Sequence, residues 1–196
     1  MGETYHTPGD VIRLYTSQTK PVLDAIEKDG FCLSKAAYVQ KKYQESAKSF
    51  LLVYQWFAEK AAKLVPRPEG AELPYWAFED IYSADASGQE DRVLTLDVPK
   101  SQVILFDMYD WMKLMRLEYL GETEREEAEF KEQLHLCGLK EYDVMMSHFY
   151  PEWKNPILAS WQRLFCHHSA LLAGDRSGVG SVQAALWKIE RAWIVR

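Results

Sequence analysis

Three cysteines in 196 residues, Cys32, Cys137 and Cys166, are too few and too scattered to frame a disulfide scaffold. Isolated thiols suit a reducing compartment, so a cytoplasmic location is expected. No apolar run reaches the roughly 20 residues that span a bilayer. The start MGETYHTPGD has no apolar signal core, and no membrane partner is expected. Basic charge is also scarce: 23 Lys and Arg against 29 Asp and Glu give a formal net charge of −6. Binding a phosphate backbone needs a basic face, which argues against nucleic acid as a partner.

Catalytic signatures are missing too. Gly174 to Gly180 (GDRSGVG) lacks a following Gly-Lys-Ser/Thr and is no P-loop. No G-x-G-x-x-G opens a helix, and neither G-x-S-x-G nor H-E-x-x-H occurs. His135, Cys137, Cys166, His167 and His168 carry zinc-type donors, but no Cys-x-x-Cys is present and the two groups lie far apart. They read as helix-end and core residues, and no metal is expected.

What is present is an apolar and unusually aromatic chain, 47% hydrophobic and 13% Phe, Trp and Tyr. A chain this long buries roughly 70% of its unfolded surface without needing a staple. Residues 1–10, with Gly2, Pro8 and Gly9, read as a loose leader. Residues 11–196 read as a single α+β domain: a small, mostly antiparallel sheet with flanking helices, one of them long.

Val11 to Ser17 is a first strand, followed by a helix with Thr19 at its cap, Pro21 in its first turn and Gly30 at its end. Phe31 to Leu33 is a short apolar return. Apolar residues at spacings of three and four predict one helix from about Lys35 to Val65. Leu73 to Phe78 reads as a strand put at a sheet edge by Pro74. Tyr82 to Asp91 is a loop. Val93 to Val98 and Val103 to Phe106 are strands around a proline turn, and Asp107 caps a helix running to about Tyr119. Glu122 to Leu136 begins with acidic residues, favourable at a helix start. Helices are also expected from Glu141 to His148 and, opening at Asn155-Pro156, through Phe165. Asp175 to Gly180 is a flexible loop, and the last strand covers Val182 to Ile189. Val98 precedes Val103 as Ile189 precedes Ile194, so both stretches should leave one sheet by similar turns.

Polar residues at strand ends are the candidates for chemistry. Asp107 and Asp110 stand three apart at a helix start beside Trp111, placed either to bind a ligand or to cap and complement the helix dipole. Trp76, with Glu79 and Asp80, has the same double reading. Tyr15, Thr16 and Gln18 offer donors where the first strand meets its helix, and they equally suit strand-end satisfaction.

RLYTSQT (13–19), PYWAF (74–78), LDVPKSQVILFDMYDW (96–111), SWQRLF (160–165) and QAALWKI (183–189) together resemble an uncharacterised bacterial family defined as a domain of unknown function. The likeness covers nearly the whole chain after residue 12. A more distant resemblance is to ADP-ribosyltransferase-like folds, carried by IRLYTSQTKPVLDAIEKDG (12–30) and VLTLDVPKSQVIL (93–105). It implies NAD as cofactor, Tyr15 to Gln18 at the nicotinamide cleft, and Glu190 or Asp110 as the catalytic acid. The first strand carries no histidine, and Lys188-Ile189-Glu190 supplies only half of that group's Gln/Glu-x-Glu element.

Three functions fit. The first is a nucleotide or small-molecule binding domain with an aromatic pocket of Tyr15, Gln18, Trp76 and Trp111. The second is a non-enzymatic interaction or inhibitor module whose Glu122 to Glu132 face meets a basic protein. The third is a nucleic-acid accessory protein using Lys35 to Lys63, which the net charge opposes.

Overall fold

The computed structural model describes residues 10–85 and 91–195, so residues 1–9 of the expected leader and 86–90 of the expected loop lie outside it. Strand β1 (Val11–Gln18) is followed by α1 (Lys20–Asp29), β2 (Phe31–Leu33), α2 (Ala36–Tyr43), α3 (Ala47–Ala61) and β3 (Tyr75–Phe78). Next come β4 (Arg92–Pro99), β5 (Val103–Asp107), α4 (Met108–Met115), α5 (Glu124–Leu136) and α6 (Glu141–Met146). The chain continues through α7 (Pro151–Ser160), α8 (His168–Ala173), β6 (Val182–Leu186) and β7 (Lys188–Glu190). Five strands form an antiparallel sheet in the order β4-β1-β3-β6-β5, and β2 pairs with β7 in a second sheet. This is the expected α+β class.

A short connection determines the shape of the large sheet. β4 and β5 are consecutive in the chain yet occupy opposite edges. If the sheet were flat, four strand spacings would separate those edges by ~19 Å. Lys100, Ser101 and Gln102 alone join them, coiled into a 3₁₀ turn. Even fully extended, the step from Pro99 to Val103 reaches only ~14 Å. The sheet therefore has to curl until its edges approach.

The core records that curl. Ile12, Leu14, Leu94, Leu96 and Val98 from β1 and β4 share one buried cluster with Val103, Leu105, Val182, Ala184 and Leu186 from β5 and β6. The ladder is thinnest between the two halves. β1 has eight partner pairs with β4 but only one with β3, Tyr15 opposite Phe78.

Alternate residues on β3, β5 and β6 point outward into a second cluster. Ile104, Phe106 and Ala185 meet Phe57 of α3, Trp111 of α4 and Trp161 there, with Trp76 packed alongside. Because β5 and β6 are buried on both sides, their sequences do not alternate: β5 is apolar from Val103 to Phe106, and β6 is apolar apart from Gln183. β5 is an edge strand, and α8 covers it. The Leu105 N–H donates to Nδ1 of buried His168 at 3.1 Å, which satisfies a group that no strand reaches.

Several local expectations are corrected. The single helix over 35–65 is two helices, broken at Gln44, where φ is +47°. Tyr43 and Phe50 stack at 4.0 Å across the break, whereas seven residues of straight helix would separate them by ~10.5 Å. β3 is central, not an edge: Pro74 precedes the strand, so its missing N–H costs the ladder nothing. The expected strand over 182–189 divides at Trp187, whose indole N–H donates to Val65 O at 2.8 Å, and β7 joins the small sheet instead. α4 ends at Met115, short of Tyr119. The helix expected to open at Asn155-Pro156 opens four residues earlier, at Pro151, and Pro156 lies inside it. The two similar turns do occur, as 3₁₀ turns at Lys100–Gln102 and Arg191–Trp193, but they leave different sheets.

Burial lowers the pKa of His168. A group depressed in the folded state contributes stability above its unfolded pKa of about 6.5, and that contribution is lost as pH falls towards the folded value. Denaturant unfolding of the wild type should show this loss below about pH 6.5. H168N, which keeps an acceptor for Leu105 without titrating there, should show less of it. H168A should cost about 1–3 kcal/mol at pH 7 by stranding the Leu105 N–H.

Candidate functional site

Side chains opposite one another in an antiparallel ladder project to the same side. Tyr15 faces Phe78, Phe78 faces Gln183, and Gln183 faces Phe106. These four therefore make one row across the outer side of the sheet, crossing the thin β1–β3 seam. Trp76 and Ser17, each two residues from a row member, share that side. Tyr15, Ser17, Trp76 and Phe78 are half-buried. Above the row, Trp111 of α4 lies 4.5 Å from Trp76 and 5.9 Å from Phe106, measured between ring centroids.

Two polar groups in this region stand out. Ser17 Oγ is buried and, among the described residues, has no hydrogen-bond partner. Gln183 is only 4% exposed, and its amide bonds no other described residue. Buried polar groups are nearly always paired, so the Ser17 hydroxyl marks a place where a ligand's own donor or acceptor would be matched, with the Gln183 amide on the same side of the sheet.

A cavity of about 330 Å³ opens one residue beyond the row, lined by Glu79, Asp80, Arg176, Val179, Gly180, Ser181 and Val182. The loop before β6, expected to be flexible, is tied down on its walls. The Arg176 guanidinium pairs with the Glu79 carboxylate and also donates to Leu171 O at 2.7 Å. Asp107 accepts from Tyr109 N through one oxygen and from Gly180 N through the other, both at 2.7 Å. Its capping role is therefore real, and it also joins α4 to the loop. Gly180 is needed for close approach, because a Cβ there would lie 2.7 Å from the Tyr109 ring.

Asp110 is half-buried, and its pKa is raised by desolvation first and by the neighbouring Asp107 charge second. Lys113, 4.0 Å away, works against that rise, as does His167, while Glu127 adds to it. A carboxyl held this way takes a proton more readily than an exposed aspartate.

The candidates from sequence divide. Tyr15 and Trp76 lie on the side of the row, and Asp110 and Trp111 belong to the helix over it; Asp107, opposite Val182, alternates away from the row and caps that helix. Thr16 and Gln18 also alternate away, onto the inner side, where Gln18 Nε2 donates to Thr16 Oγ1 at 2.8 Å and Thr16 Oγ1 donates to Trp76 O at 2.7 Å. That last bond stitches the seam where the ladder fails. Glu190 lies in the small sheet, opposite Phe31 and ion-paired with Lys188. Trp111 is 5% exposed and packs into the core instead of lining an open aromatic pocket. Gln183 and Arg176 were not singled out from the sequence. A glutamine inside the apolar run VQAAL was the available signal, since a polar residue in a doubly buried strand needs a reason.

The acidic helix is largely neutralised by its neighbours, and the lysine-bearing segment is neutralised only in part. On the acidic helix, Glu126 pairs with Arg163, Glu127 with Lys113 and Glu129 with Arg125. On the lysine-bearing segment, Lys35 pairs with Glu72 and Lys60 with Glu59. No helix among the described residues is long and apolar enough to cross a membrane.

D110N should raise stability at pH 7, because it removes a charge the site disfavours. The gain should shrink as pH falls and the wild-type carboxyl, its pKa raised by burial, takes up its proton. Paired chemical denaturation curves at pH 7 and 4 check this.

A family model described as a domain of unknown function (DUF3841) matches residues 13–195, and the chain belongs to that family. Neither the curated proteins nor the solved structures gave a match.

Proposed function

We propose that this member of the DUF3841 family is a nucleotide or small-molecule binding domain with an ADP-ribosyltransferase-like architecture, and that its ligand lies along the outer row and into the adjoining cavity. The observation that carries the reading is the buried Ser17 hydroxyl beside the β1–β3 seam, which has no hydrogen-bond partner among the described residues. Gln183 supports it from the same side of the sheet. The cavity of about 330 Å³ falls within the size range of small-molecule sites. Tyr15, Trp76 and Phe78 offer aromatic surface to a planar ring, and the Glu79 and Asp80 carboxylates suit ribose hydroxyls better than phosphates.

The resemblance also finds support in local structure. β1 runs into α1, which closes at Gly30 with φ +83°, and β4 leads through its proline turn into β5. NAD is accordingly the first ligand to test. Asp110 lies in the first turn of α4, the helix that carries Trp111 over the row, whereas Glu190, engaged with Lys188 in the other sheet, is poorly placed to take part.

Thermal denaturation with NAD, ADP-ribose and AMP tests the proposal. A ligand present at 100 times its dissociation constant stabilises the native state by about 2.7 kcal/mol, a shift of several degrees. NAD should produce it, and S17A should abolish or reduce it. S17A should itself be neutral or stabilising without ligand, since it removes an unsatisfied buried hydroxyl. Absence of a shift with all three nucleotides at millimolar concentration contradicts the proposal, as does an S17A variant that binds normally.

A further inference from the structure

A second cavity, of about 250 Å³, lies on the far side of the curled sheet, away from the outer row. Leu23 and Ile26 of α1, Leu94 of β4 and Ile194 near the C-terminus make its apolar floor, and all four belong to or pack against the inner core. Three charged side chains stand at its rim: Glu27 in the last turns of α1, Arg92 at the start of β4, and Arg191 in the 3₁₀ turn after β7.

The state of the two arginines is what sets this cavity apart. Elsewhere, Arg13, Arg116, Arg125, Arg163 and Arg176 each hold a carboxylate. Among the described residues Arg67, Arg92 and Arg191 hold none, and two of these three line this one cavity. Their guanidiniums come from different elements, and Glu27, although on the same rim, pairs with neither. Each offers a planar fork of N–H donors suited to a carboxylate.

The rim charge is +2 from the arginines and −1 from Glu27. A singly charged anion fits that balance better than a dianion, which Glu27 would repel. The apolar floor requires the rest of the ligand to be hydrocarbon, because a bare ion would leave that surface facing water. We propose that this cavity binds a small organic monocarboxylate with a short aliphatic or aromatic body, its carboxylate held between Arg92 and Arg191. The site is separate from the outer row and does not depend on the nucleotide reading.

The experiment is an amide-detected NMR titration of the full chain with phenylacetate, with acetate as charge without a body and 2-phenylethanol as a body without charge. Phenylacetate should saturate, with shifts concentrated at residues 23–27, 92–94 and 191–194. Both controls should bind at least ~10-fold more weakly, equivalent to ~1.4 kcal/mol. The R92Q/R191Q double variant should lose at least as much affinity, and E27Q should bind more tightly than wild type. These residues are exposed or at a rim, and an unchanged thermal midpoint confirms that the variants fold. The proposal is overturned by shifts centred elsewhere, by acetate binding as well as phenylacetate, or by undiminished affinity in R92Q/R191Q.

Discussion

The three-residue link between Pro99 and Val103 is the constraint on which the rest of the structure depends. It joins strands at opposite edges of a five-stranded sheet, and no flat sheet could accept it. Curling brings Leu14, Leu96 and Leu105 into one buried cluster, so the inner core follows from the length of the link. The same curl thins the ladder between β1 and β3 to a single pair, leaving Thr16 to bridge the seam with its hydroxyl. Helices then pack on the outer side of β3, β6 and β5, where Phe57, Phe106 and Trp111 meet.

This geometry separates three kinds of polar group. Some complete the frame, such as His168 on the unpaired edge of β5 and Asp107 between α4 and the loop before β6. Others neutralise one another at the surface, as Arg163 and Glu126 do. A few, Ser17 on one side of the sheet and Arg92 and Arg191 on the other, do neither among the described residues. Polar groups that neither build the frame nor cancel their neighbours are the natural places to look for ligands.

Much of the frame was legible because its signals are local. Branched and aromatic residues mark β1, Pro21 and Gly30 bracket α1, and Val93 to Phe106 shows two apolar strands around a turn. What escaped was set by tertiary contact. Nothing in the sequence around Gln44 requires a break, since neither Gly nor Pro stands there; the stacking of Tyr43 on Phe50 goes with it. Likewise SVQAALWKI reads as one strand until Trp187 turns aside to bond Val65. The site was half legible. Clustering of Trp76 with Trp111 followed from aromatic strand ends, but joining Tyr15 with Gln18 ignored the period of two, which puts them on opposite sides. Sheet order, which no local signal encodes, was needed to bring Gln183 into line with Phe78 and Tyr15.

The central claim is that the β1–β3 seam is the place where the sheet receives its ligand. Amide hydrogen exchange, followed residue by residue with and without NAD, tests it most directly. In the free protein, β1 amides on the β3 side should exchange faster than those paired with β4. With NAD they should slow, together with amides around Phe78 and Gln183, while α5 and the small β2–β7 sheet stay unchanged. A uniformly protected β1, or slowing confined to elements remote from the seam, would contradict the account.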